Sequence, residues 1–319
     1  MRIVVVDSFP ADQGNVDMWS PLNELGDVAL HERTPAEDVA DRCRDAQAIL
    51  TNKVVLNAET LAALPALRYV GVVATGANVV DLDAAKRGNI VVANVPAYST
   101  ASVAQLVFAF ILHFASRAAD HDRAVKAGRW ASCRDFSFLD APIHELAGKT
   151  LVTVGTGAIG RAVADIAAAF GMRHIAAAVP GSPSADRTPL AEALAAADFV
   201  SLHCPLTPQT QNLVSAAFLG LLKPGAILIN TGRGPLIDDA ALVDALASGK
   251  LGGAALDVLR QEPPAGDNPL LNAGAPWSDR LIITPHIGWA TVEARTRLIN
   301  ETIENVKAFA RGEDRNRIA

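Results

Sequence analysis

The chain is short of cysteine, of aromatic residues and of clustered positive charge. Among its 319 residues, three are cysteine and 5% are aromatic, and the formal net charge is −6. Because the sequence has no run of lysine and arginine, it offers no cationic surface of the kind that binds nucleic acid. Aliphatic residues must therefore form most of the core, and no nucleic-acid partner is expected.

The positions of the cysteines exclude further classes of protein. Cys43, Cys133 and Cys204 form neither a C-x-x-C pair nor a cluster with histidine, so no metal site is expected, and free thiols in a reducing compartment are favoured.

The apolar N-terminal run ends at Asp7 and lacks the features of a signal peptide. No uncharged apolar run reaches the length of about 18 residues that a membrane span requires. We therefore expect a cytoplasmic protein with no membrane partner.

The most informative stretch is Leu151-Val-Thr-Val-Gly-Thr-Gly-Ala-Ile-Gly160, in which a predicted strand runs into three glycines and then into a helix-favouring segment. The first glycine permits a tight turn, the second lets the backbone approach a phosphate, and the third lets helix and strand pack closely. The pattern predicts a pyrophosphate site at a helix N-terminus, with an ordinary strand–helix turn as the alternative. The residues expected at this site are Gly155, Gly157, Ala158, Ile159 and Gly160.

Short apolar runs alternate with helical stretches along the chain, a pattern typical of parallel sheets covered on both faces. Besides the glycine-turn strand, strands are predicted at residues 3–6, 28–30, 48–50, 69–73, 90–92, 199–203, 226–230, 253–256 and 281–284. Helices are predicted at residues 35–44 and 58–63, from Ser99 or Thr100 to residue 114, and over residues 292–306. The last helix is too short to bury a core by itself and is expected to return to the first domain.

Five motifs follow one another in the second half of the chain. They are Gly155–Gly160, His203-Cys-Pro-Leu-Thr-Pro208, Asn230-Thr-Gly-Arg-Gly234, Leu256-Asp-Val-Leu-Arg-Gln-Glu-Pro263 and Pro285-His-Ile-Gly-Trp289. In this order and spacing they resemble the D-isomer-specific 2-hydroxyacid dehydrogenases over nearly the whole chain. Residues 74–81 and 95–105 look most like the glycerate dehydrogenase (hydroxypyruvate reductase) branch.

The resemblance and the strand pattern together predict an α/β fold of two doubly wound parallel-sheet domains. Residues 1–98 and 291–319 are expected to form a flavodoxin-like, substrate-binding domain. Residues 99–290 are expected to form a Rossmann domain that binds the dinucleotide.

Reduction of a 2-keto acid needs a proton donor, a group that orients the donor, and a cation for the substrate carboxylate. His286 suits the first role because imidazole titrates near neutral pH, and Glu262 suits the second because a neighbouring carboxylate favours imidazolium. Arg233 lies between Gly232 and Gly234, and its planar fork matches a carboxylate. Taken alone, these residues have ordinary alternatives as a strand-end histidine, a loop glutamate and a surface arginine; the motifs favour the catalytic interpretation.

The resemblance also implies further contacts. The backbone of Ala74, Thr75 and Gly76 is expected to bind the substrate carboxylate, with a structural turn as the alternative. Trp289 is expected either to form a wall of the substrate pocket or to lie in the core. The residues expected to line the cofactor cleft are Cys204, Pro205, Thr231, Asp257 at the nicotinamide carboxamide, and His286. Cys204 is not expected to act as a nucleophile, because no base is identifiable beside it.

One position departs from the usual NAD pattern. An acidic residue that binds the ribose hydroxyls normally ends the second strand, but residues 174–183 contain none. Ser182 and Ser184 are able to bond either a ribose or a phosphate, and Arg187 lies four residues beyond Pro183. Because no phosphate-binding arginine stands at the strand end, NAD(H) is slightly favoured, and NADP(H) is permitted.

The expected substrate is a small 2-keto acid, with hydroxypyruvate or glyoxylate favoured and D-glycerate or glycolate as the product. The resemblance implies a homodimer in which residues 130–138 pack across the interface, and we expect Phe136 or Phe138 to reach the partner's substrate cleft. Alternatives are a dinucleotide-sensing regulatory protein on the same fold, or oxidation of formate, a phosphonate or D-3-phosphoglycerate. The regulatory role is disfavoured because the chain lacks extra tails.

Overall fold

The structure is a computed structural model that describes residues 1–182 and 186–319. The chain divides into two compact units. Unit 1 comprises Met1–Ser99 and Trp289–Ala319, and unit 2 comprises Thr100–Gly288. The assignment of substrate binding to the first unit and dinucleotide binding to the second stays a prediction.

Unit 1 is built on a five-stranded sheet in which every strand pair is parallel. Its strands are β1 (Arg2–Val5), β2 (Asp27–Leu30), β3 (Ala48–Thr51), β4 (Tyr69–Val72) and β5 (Val91–Ala93). The spatial order is β2-β1-β3-β4-β5, which is the flavodoxin-like arrangement. The chain moves to one side of β1 to form β2 and to the other side to form β3, so the topological switch point lies between β1 and β3.

Unit 2 is built on a six-stranded sheet that is also fully parallel. Its strands are β6 (Thr150–Val154), β7 (Arg173–Ala177), β8 (Phe199–Leu202), β9 (Ala226–Asn230), β10 (Leu251–Leu256) and β11 (Leu281–Ile283). The order is β7-β6-β8-β9-β10-β11, so the switch point lies between β6 and β8. In open sheets of this kind, ligands bind outside the carboxyl ends of the strands at that point.

Helices cover both faces of each sheet. They are α1 (Phe9–Asp12), α2 (Val39–Arg42), α3 (Ala58–Ala62), α4 (Leu82–Arg87), α5 (Thr100–Ser116), α6 (Ala118–Lys126), α7 (Ala158–Ala169), α8 (Leu190–Ala196), α9 (Ala216–Leu221), α10 (Asp239–Ala247) and α11 (Val292–Ala310). Five short 3₁₀ segments, at Val16–Glu24, Ala36–Asp38, Gly234–Leu236, Pro269–Leu271 and Ser278–Arg280, complete the elements of the described residues.

The apolar residues of each strand alternate between two cores, because successive side chains of a strand point to opposite faces of the sheet. In β9, Leu228 packs into the core on the face of α8, α9 and α10, whereas Ile227 and Ile229 pack into the core beneath α5 and α7. In unit 1, α11 places Leu298 and Ile303 in the core on one face of the sheet. The last helix therefore belongs to the first unit.

The predicted α/β fold with two parallel sheets is confirmed. One helix differs from its prediction: residues 35–44 form a 3₁₀ turn, Ala36–Asp38, and then a single helical turn, Val39–Arg42. Pro35 precedes this segment, and no side chain caps either piece, so the N–H groups of the first turn lack the acceptors that would favour a longer helix.

No single helix within residues 1–182 and 186–319 is long and apolar enough to cross a membrane. The pair α5 and α6, which bends by 58°, meets the same criteria of length and composition only when the two helices are counted together. Most apolar residues of α5, among them Val107 and Ile111, are buried in the core of unit 2.

Candidate active site

The motif residues of unit 2 meet at one edge of its sheet. Gly155 follows β6, Cys204 lies two residues beyond β8, Thr231 follows β9, Asp257 follows β10, and His286 lies three residues beyond β11. Because all six strands are parallel, their carboxyl ends form a single edge, and residues far apart in sequence come to neighbouring positions there. The parallel sheet thus brings the sequence-predicted residues of unit 2 to one edge.

The glycine turn after β6 has no room for side chains on its inner side. Gly155 has φ = 109°, and a Cβ there would meet the backbone of His203 at 2.6 Å. A Cβ on Gly160 would meet the Gly155 carbonyl oxygen at 2.2 Å. A Cβ on Gly157 would meet nothing within 4 Å, so this glycine faces open space. The turn therefore packs tightly below and leaves its outer backbone accessible.

The N-terminus of α7 offers donors to an anion. The N–H groups of Gly157, Ala158 and Ile159 have no acceptor among the described residues. Together with the partial positive charge of the 12-residue helix, they suit a pyrophosphate. A third feature follows β9, which is separated from β6 by β8: the buried hydroxyl of Thr231 has no hydrogen-bond partner within the described part of the chain. These observations fit a dinucleotide.

Arg233 lies in a turn that is fixed by a residue that the sequence analysis did not single out. The fully buried amide of Asn230 donates through Nδ2 to the Arg233 carbonyl at 2.9 Å, and its Oδ1 accepts from Gly232 N at 3.0 Å. The Arg233 side chain is exposed, and its Nη1 donates to the Gly232 carbonyl at 2.8 Å. The guanidinium makes no ion pair with any described residue. Asn230 holds the backbone of the turn and leaves the guanidinium available.

Gly234 joins this turn to the loop that carries Glu262. A Cβ on Gly234 would lie 1.9 Å from the carbonyl carbon of Leu259 and 2.4 Å from Arg260 N, so only glycine permits this approach. The backbone of the β9 loop therefore packs directly on the backbone of the β10 loop. The spacing between the Arg233 turn and the Glu262 loop is therefore set by main-chain contact and does not depend on the conformation of flexible side chains.

His286 and Glu262 form a hydrogen-bonded pair. His286 Nδ1 lies 2.7 Å from Glu262 Oε2, and Leu259 N donates to Glu262 Oε1 at 3.0 Å. Each carboxylate oxygen thus has a donor, which fixes the plane of the carboxylate and, through it, the imidazole ring. The Glu262–Pro263 peptide bond is cis. With Nδ1 bound to the carboxylate, Nε2 is the ring nitrogen available to a substrate.

The turn at His286 is held by Asp257. His286 has φ = 55°, a left-handed conformation that costs a non-glycine residue about 1 kcal/mol. The buried carboxylate of Asp257 accepts from Ile287 N at 2.8 Å and from Gly288 N at 2.7 Å. It also accepts from the Thr284 hydroxyl at 2.6 Å. Three donors on both sides of His286 therefore stabilise its backbone.

The predicted cofactor positions beside β8, Cys204 and Pro205, differ in their exposure. Burial raises the pKa of the Cys204 thiol to about 11, so the thiol is protonated at neutral pH and is a poor nucleophile. Burial lowers the pKa of His203 to about 4, so this imidazole is neutral, and its Nε2 has no partner among the described residues. Pro205, the next predicted position after the thiol, is exposed.

The turn after β7, where an acidic residue usually binds ribose hydroxyls, carries none at residues 178–182. A Cβ on Gly181 would meet the Gln209 side chain at 3.1 Å, so a neutral amide packs against this turn. Ser182 N donates to the Val179 carbonyl at 3.1 Å. Ser184, a predicted partner of the ribose or of a phosphate, lies outside the described residues, and Arg187 is half-buried.

The loop predicted to bind the substrate carboxylate lies in unit 1, directly after β4. The Thr75 hydroxyl donates to the Val95 carbonyl at 2.8 Å, and Asn94 Nδ2 donates to the Thr75 carbonyl at 2.7 Å. The N–H groups of Ala74, Thr75 and Gly76 have no acceptor among the described residues. Adjacent free N–H groups on a fixed loop suit an anion.

Trp289, for which a pocket wall and a core position were both considered, also lies in unit 1. It is half-buried, packs against the core beneath α11, and has its ring 6.5 Å from that of Tyr98 in an edge-on arrangement. Trp289 therefore lies partly in the core of unit 1.

Within residues 1–182 and 186–319, no group of three His, Cys, Asp or Glu side chains is arranged to hold a metal ion.

Comparison with known proteins agrees with this geometry. Residues 108–288, more than half of the chain, match the family model described as D-isomer specific 2-hydroxyacid dehydrogenase, NAD binding domain. The hydroxypyruvate reductase of Blautia hydrogenotrophica is 41% identical over 320 residues, which cover 98% of each chain. The glycerate dehydrogenase of Methylorubrum extorquens is 39% identical over 280 residues, which cover 88% of each chain.

The fold comparison leads to the same family. The crystal structure of the TT0316 protein from Thermus thermophilus is similar with a TM-score of 0.87 and 34% sequence identity, and the match covers all of both chains. The resemblance noted from the five motifs is confirmed. The chain belongs to the D-isomer specific 2-hydroxyacid dehydrogenase family.

Proposed function

We propose that the protein reduces hydroxypyruvate or glyoxylate with NADH, giving D-glycerate or glycolate. Its family makes it an oxidoreductase that uses a nicotinamide cofactor. The observation that carries the proposal is the His286–Glu262 pair at 2.7 Å, on the sheet edge that also carries the glycine turn and Arg233. The names of the two relatives support this choice of substrate.

The proposed mechanism assigns the proton to His286. When bound, the nicotinamide supplies the hydride to the carbonyl carbon. His286 Nε2 gives a proton to the carbonyl oxygen, and Glu262, hydrogen-bonded to Nδ1, stabilises the imidazolium that must be present before the transfer. In the reverse direction, the neutral imidazole accepts the proton. Asp257 keeps the His286 turn in place by accepting hydrogen bonds from three donors of that turn.

Arg233 has a separate role in this proposal. Its guanidinium makes no ion pair with a described residue, so it is available to the substrate carboxylate and the keto oxygen. A planar fork fits a carboxylate with two parallel hydrogen bonds. In unit 1, the N–H groups of Ala74, Thr75 and Gly76, which have no acceptor among the described residues, are also suited to bind a carboxylate.

The preference for NADH rests on the absence of a cationic clamp in the described part of the β7 turn. The side chain packed there is the neutral Gln209. A 2′-phosphate bears about two negative charges and is normally accommodated by arginine, whereas the neutral amide of Gln209 is able to hydrogen-bond a hydroxyl but supplies no positive charge. NADPH binds in this proposal, but less tightly.

We also propose a homodimer, built on the segment between α6 and β6. Phe136 is 91% exposed there and Leu139 68% exposed, and Trp130 and Ile143 are also exposed. Exposed apolar groups in one segment are typical of an interface. Phe138 packs against His121 and under Arg129, so Phe136 is the residue free to reach a partner. The cytoplasmic location stays a prediction.

The function is tested by following the oxidation of NADH and NADPH spectrophotometrically with a panel of 2-keto acids. We expect hydroxypyruvate or glyoxylate to give the highest kcat/KM, and NADH to be preferred. The control is pyruvate, which has the same carboxylate and keto group but a methyl in place of the hydroxymethyl group. A preference for NADPH above about tenfold, or 1.4 kcal/mol, contradicts the cofactor proposal.

Arg233→Lys tests the two-pronged recognition of the carboxylate. Lysine keeps the charge and loses the fork, so we expect kcat/KM for the keto acid to fall by at least about tenfold. The dissociation constant of NADH, measured by fluorescence, should stay unchanged. Arg173→Lys, an exposed exchange at the start of β7, is the matched control. Near-normal kinetics of Arg233→Lys refute the role.

Glu262→Gln tests the imidazole partner. The amide cannot accept from both Leu259 N and His286 Nδ1, and a hydrogen bond to a charged group contributes about 1.5–3 kcal/mol. We expect kcat for reduction to fall by about tenfold or more, with little change in the thermal unfolding midpoint. Glu192→Gln on α8, an exposed glutamate, is the control. A normal kcat in Glu262→Gln contradicts the assignment of Glu262 as the partner of the His286 imidazole.

Phe136→Asp tests the dimer. A buried charge at an interface is costly, so light scattering after gel filtration should find a monomer, and KM for the keto acid should rise if Phe136 reaches the partner's cleft. Leu221→Asp, on the exposed side of α9, serves as the control and should leave the mass unchanged. A monomer whose KM is unaltered argues against the cleft contact.

A further inference from the structure

A buried carboxylate lies at the topological switch point of unit 1. Asp7 follows β1, and Asn52 follows β3, the strand next to it in the sheet. Both side chains are buried, with 6% and 4% of their surfaces exposed. Neither residue belongs to the five motifs. The carboxyl edge at a switch point is where sheets of this type bind ligands, so a charged residue buried there calls for a reason.

Asp7 binds the backbone of the loop that follows β3. One carboxylate oxygen accepts from Asn52 N at 2.7 Å, and the other accepts from Lys53 N at 2.5 Å and from Val54 N at 3.1 Å. Burial raises the pKa of the Asp7 carboxyl, and the three N–H donors counter that effect. A carboxylate can accept from all three donors, because both of its oxygens are acceptors, whereas a carboxamide has only one acceptor oxygen.

The contact continues to the neighbouring strand. Asn52 Nδ2 donates to the Val73 carbonyl at 2.6 Å. Val73 directly precedes Ala74, the first residue of the loop whose N–H groups have no acceptor in the described part of the chain. Asp7 thus fixes Asn52, and Asn52 fixes the start of the loop proposed to bind the substrate carboxylate. The far side of this loop is fixed by Asn94 and Val95.

We infer that Asp7 is a positioning residue for substrate binding, which acts through Asn52 on the loop of residues 74–76. This inference rests on the proposed function of that loop. Asp7 touches neither substrate nor cofactor in this role. Its carboxylate sets where the free N–H groups lie, and therefore how well they meet a carboxylate. The expected consequence of losing it is weaker substrate binding with an unchanged chemical step.

The first experiment compares Asp7→Asn with Asp12→Asn. Asp12 is also a buried acid of unit 1, with 2% of its surface exposed, and it accepts from Gly14 N at 2.8 Å and Trp19 Nε1 at 3.0 Å. It makes no hydrogen bond to the described loops after β3 and β4. In Asp7→Asn we expect KM for the keto acid to rise about tenfold, kcat to stay within about twofold, and NADH affinity to be unchanged. Asp12→Asn should lower the unfolding midpoint and leave KM unchanged.

A second variant keeps the test valid if Asp7→Asn folds poorly. Asn52→Asp preserves size but replaces the Nδ2 donor by an oxygen that repels the Val73 carbonyl, so it should raise KM in the same way. The double variant Asp7→Asn/Asn52→Asp should raise KM by less than the product of the two single effects, because both substitutions disrupt the same series of contacts. A multiplicative effect, or a loss of kcat at constant KM, overturns the inference.

Hydrogen exchange separates this inference from the proposed function. Val80 N is bonded to the Ala77 carbonyl at 3.0 Å, and Val95 N to the Ala74 carbonyl at 3.0 Å. In Asp7→Asn, exchange should become faster at residues 52–54 and also at Val80 and Val95. Faster exchange at residues 52–54 alone shows that Asp7 does not reach the loop. If the wild type reduces no 2-keto acid, the proposed function fails, and the exchange result still decides whether Asp7 positions the loop.

Discussion

The interaction on which the candidate site depends is the one between the Asp257 carboxylate and the turn at His286. A histidine with φ = 55° does not hold its conformation by intrinsic preference. Asp257 lies at the end of β10, a buried central strand, and its oxygens accept from the two N–H groups that follow His286 and from the Thr284 hydroxyl before it. The sheet therefore determines where the imidazole stands.

This dependence changes the interpretation of Asp257. The resemblance implied a contact with the nicotinamide carboxamide, and that contact stays a proposal. The structure adds that both oxygens are already engaged by the His286 turn. A carboxylate has about four lone-pair sites, so three donors leave capacity for one more. In the proposed mechanism, Asp257 would hold the turn of the proposed proton donor and also offer an acceptor to the nicotinamide carboxamide.

Close backbone contacts at glycines also hold the loops together, because no side chain separates the two main chains. Gly234 lets the Arg233 turn rest on the Leu259 backbone, and a Cβ on Gly288 would meet Asp257 Oδ2 at 2.9 Å. Ser102 of α5 donates to the Gly288 carbonyl, so the long helix supports the His286 turn from behind. Main-chain contacts of this kind tolerate little movement, and preorganisation of charged groups is where an active site gains most.

Much of this arrangement was predictable, for identifiable reasons. Buried strands such as β9, with the sequence Ala-Ile-Leu-Ile-Asn, are continuous apolar runs, and parallel strands leave their carboxyl ends on one edge. The glycine turn and the His286–Glu262 pair followed from motifs. The segment at residues 35–44 was predicted too long, because apolar spacing carries no information on missing caps. Asn230 was overlooked as a functional residue, although a polar residue that ends an apolar strand is a visible signal.

Contacts outside the motifs, between residues far apart in sequence, were not predictable. Asp7 and Asn52 are separated by 45 positions, and their pairing depends on β3 lying beside β1 on the side opposite β2. Several buried polar groups at the two carboxyl edges differ in how their hydrogen bonds are satisfied. Asp257, Asn230 and Asp7 are satisfied by backbone groups and therefore hold loops, whereas the Thr231 hydroxyl has no partner among the described residues. An unsatisfied buried hydroxyl costs about 1–3 kcal/mol, so a ligand that formed a hydrogen bond with the Thr231 hydroxyl would remove this cost.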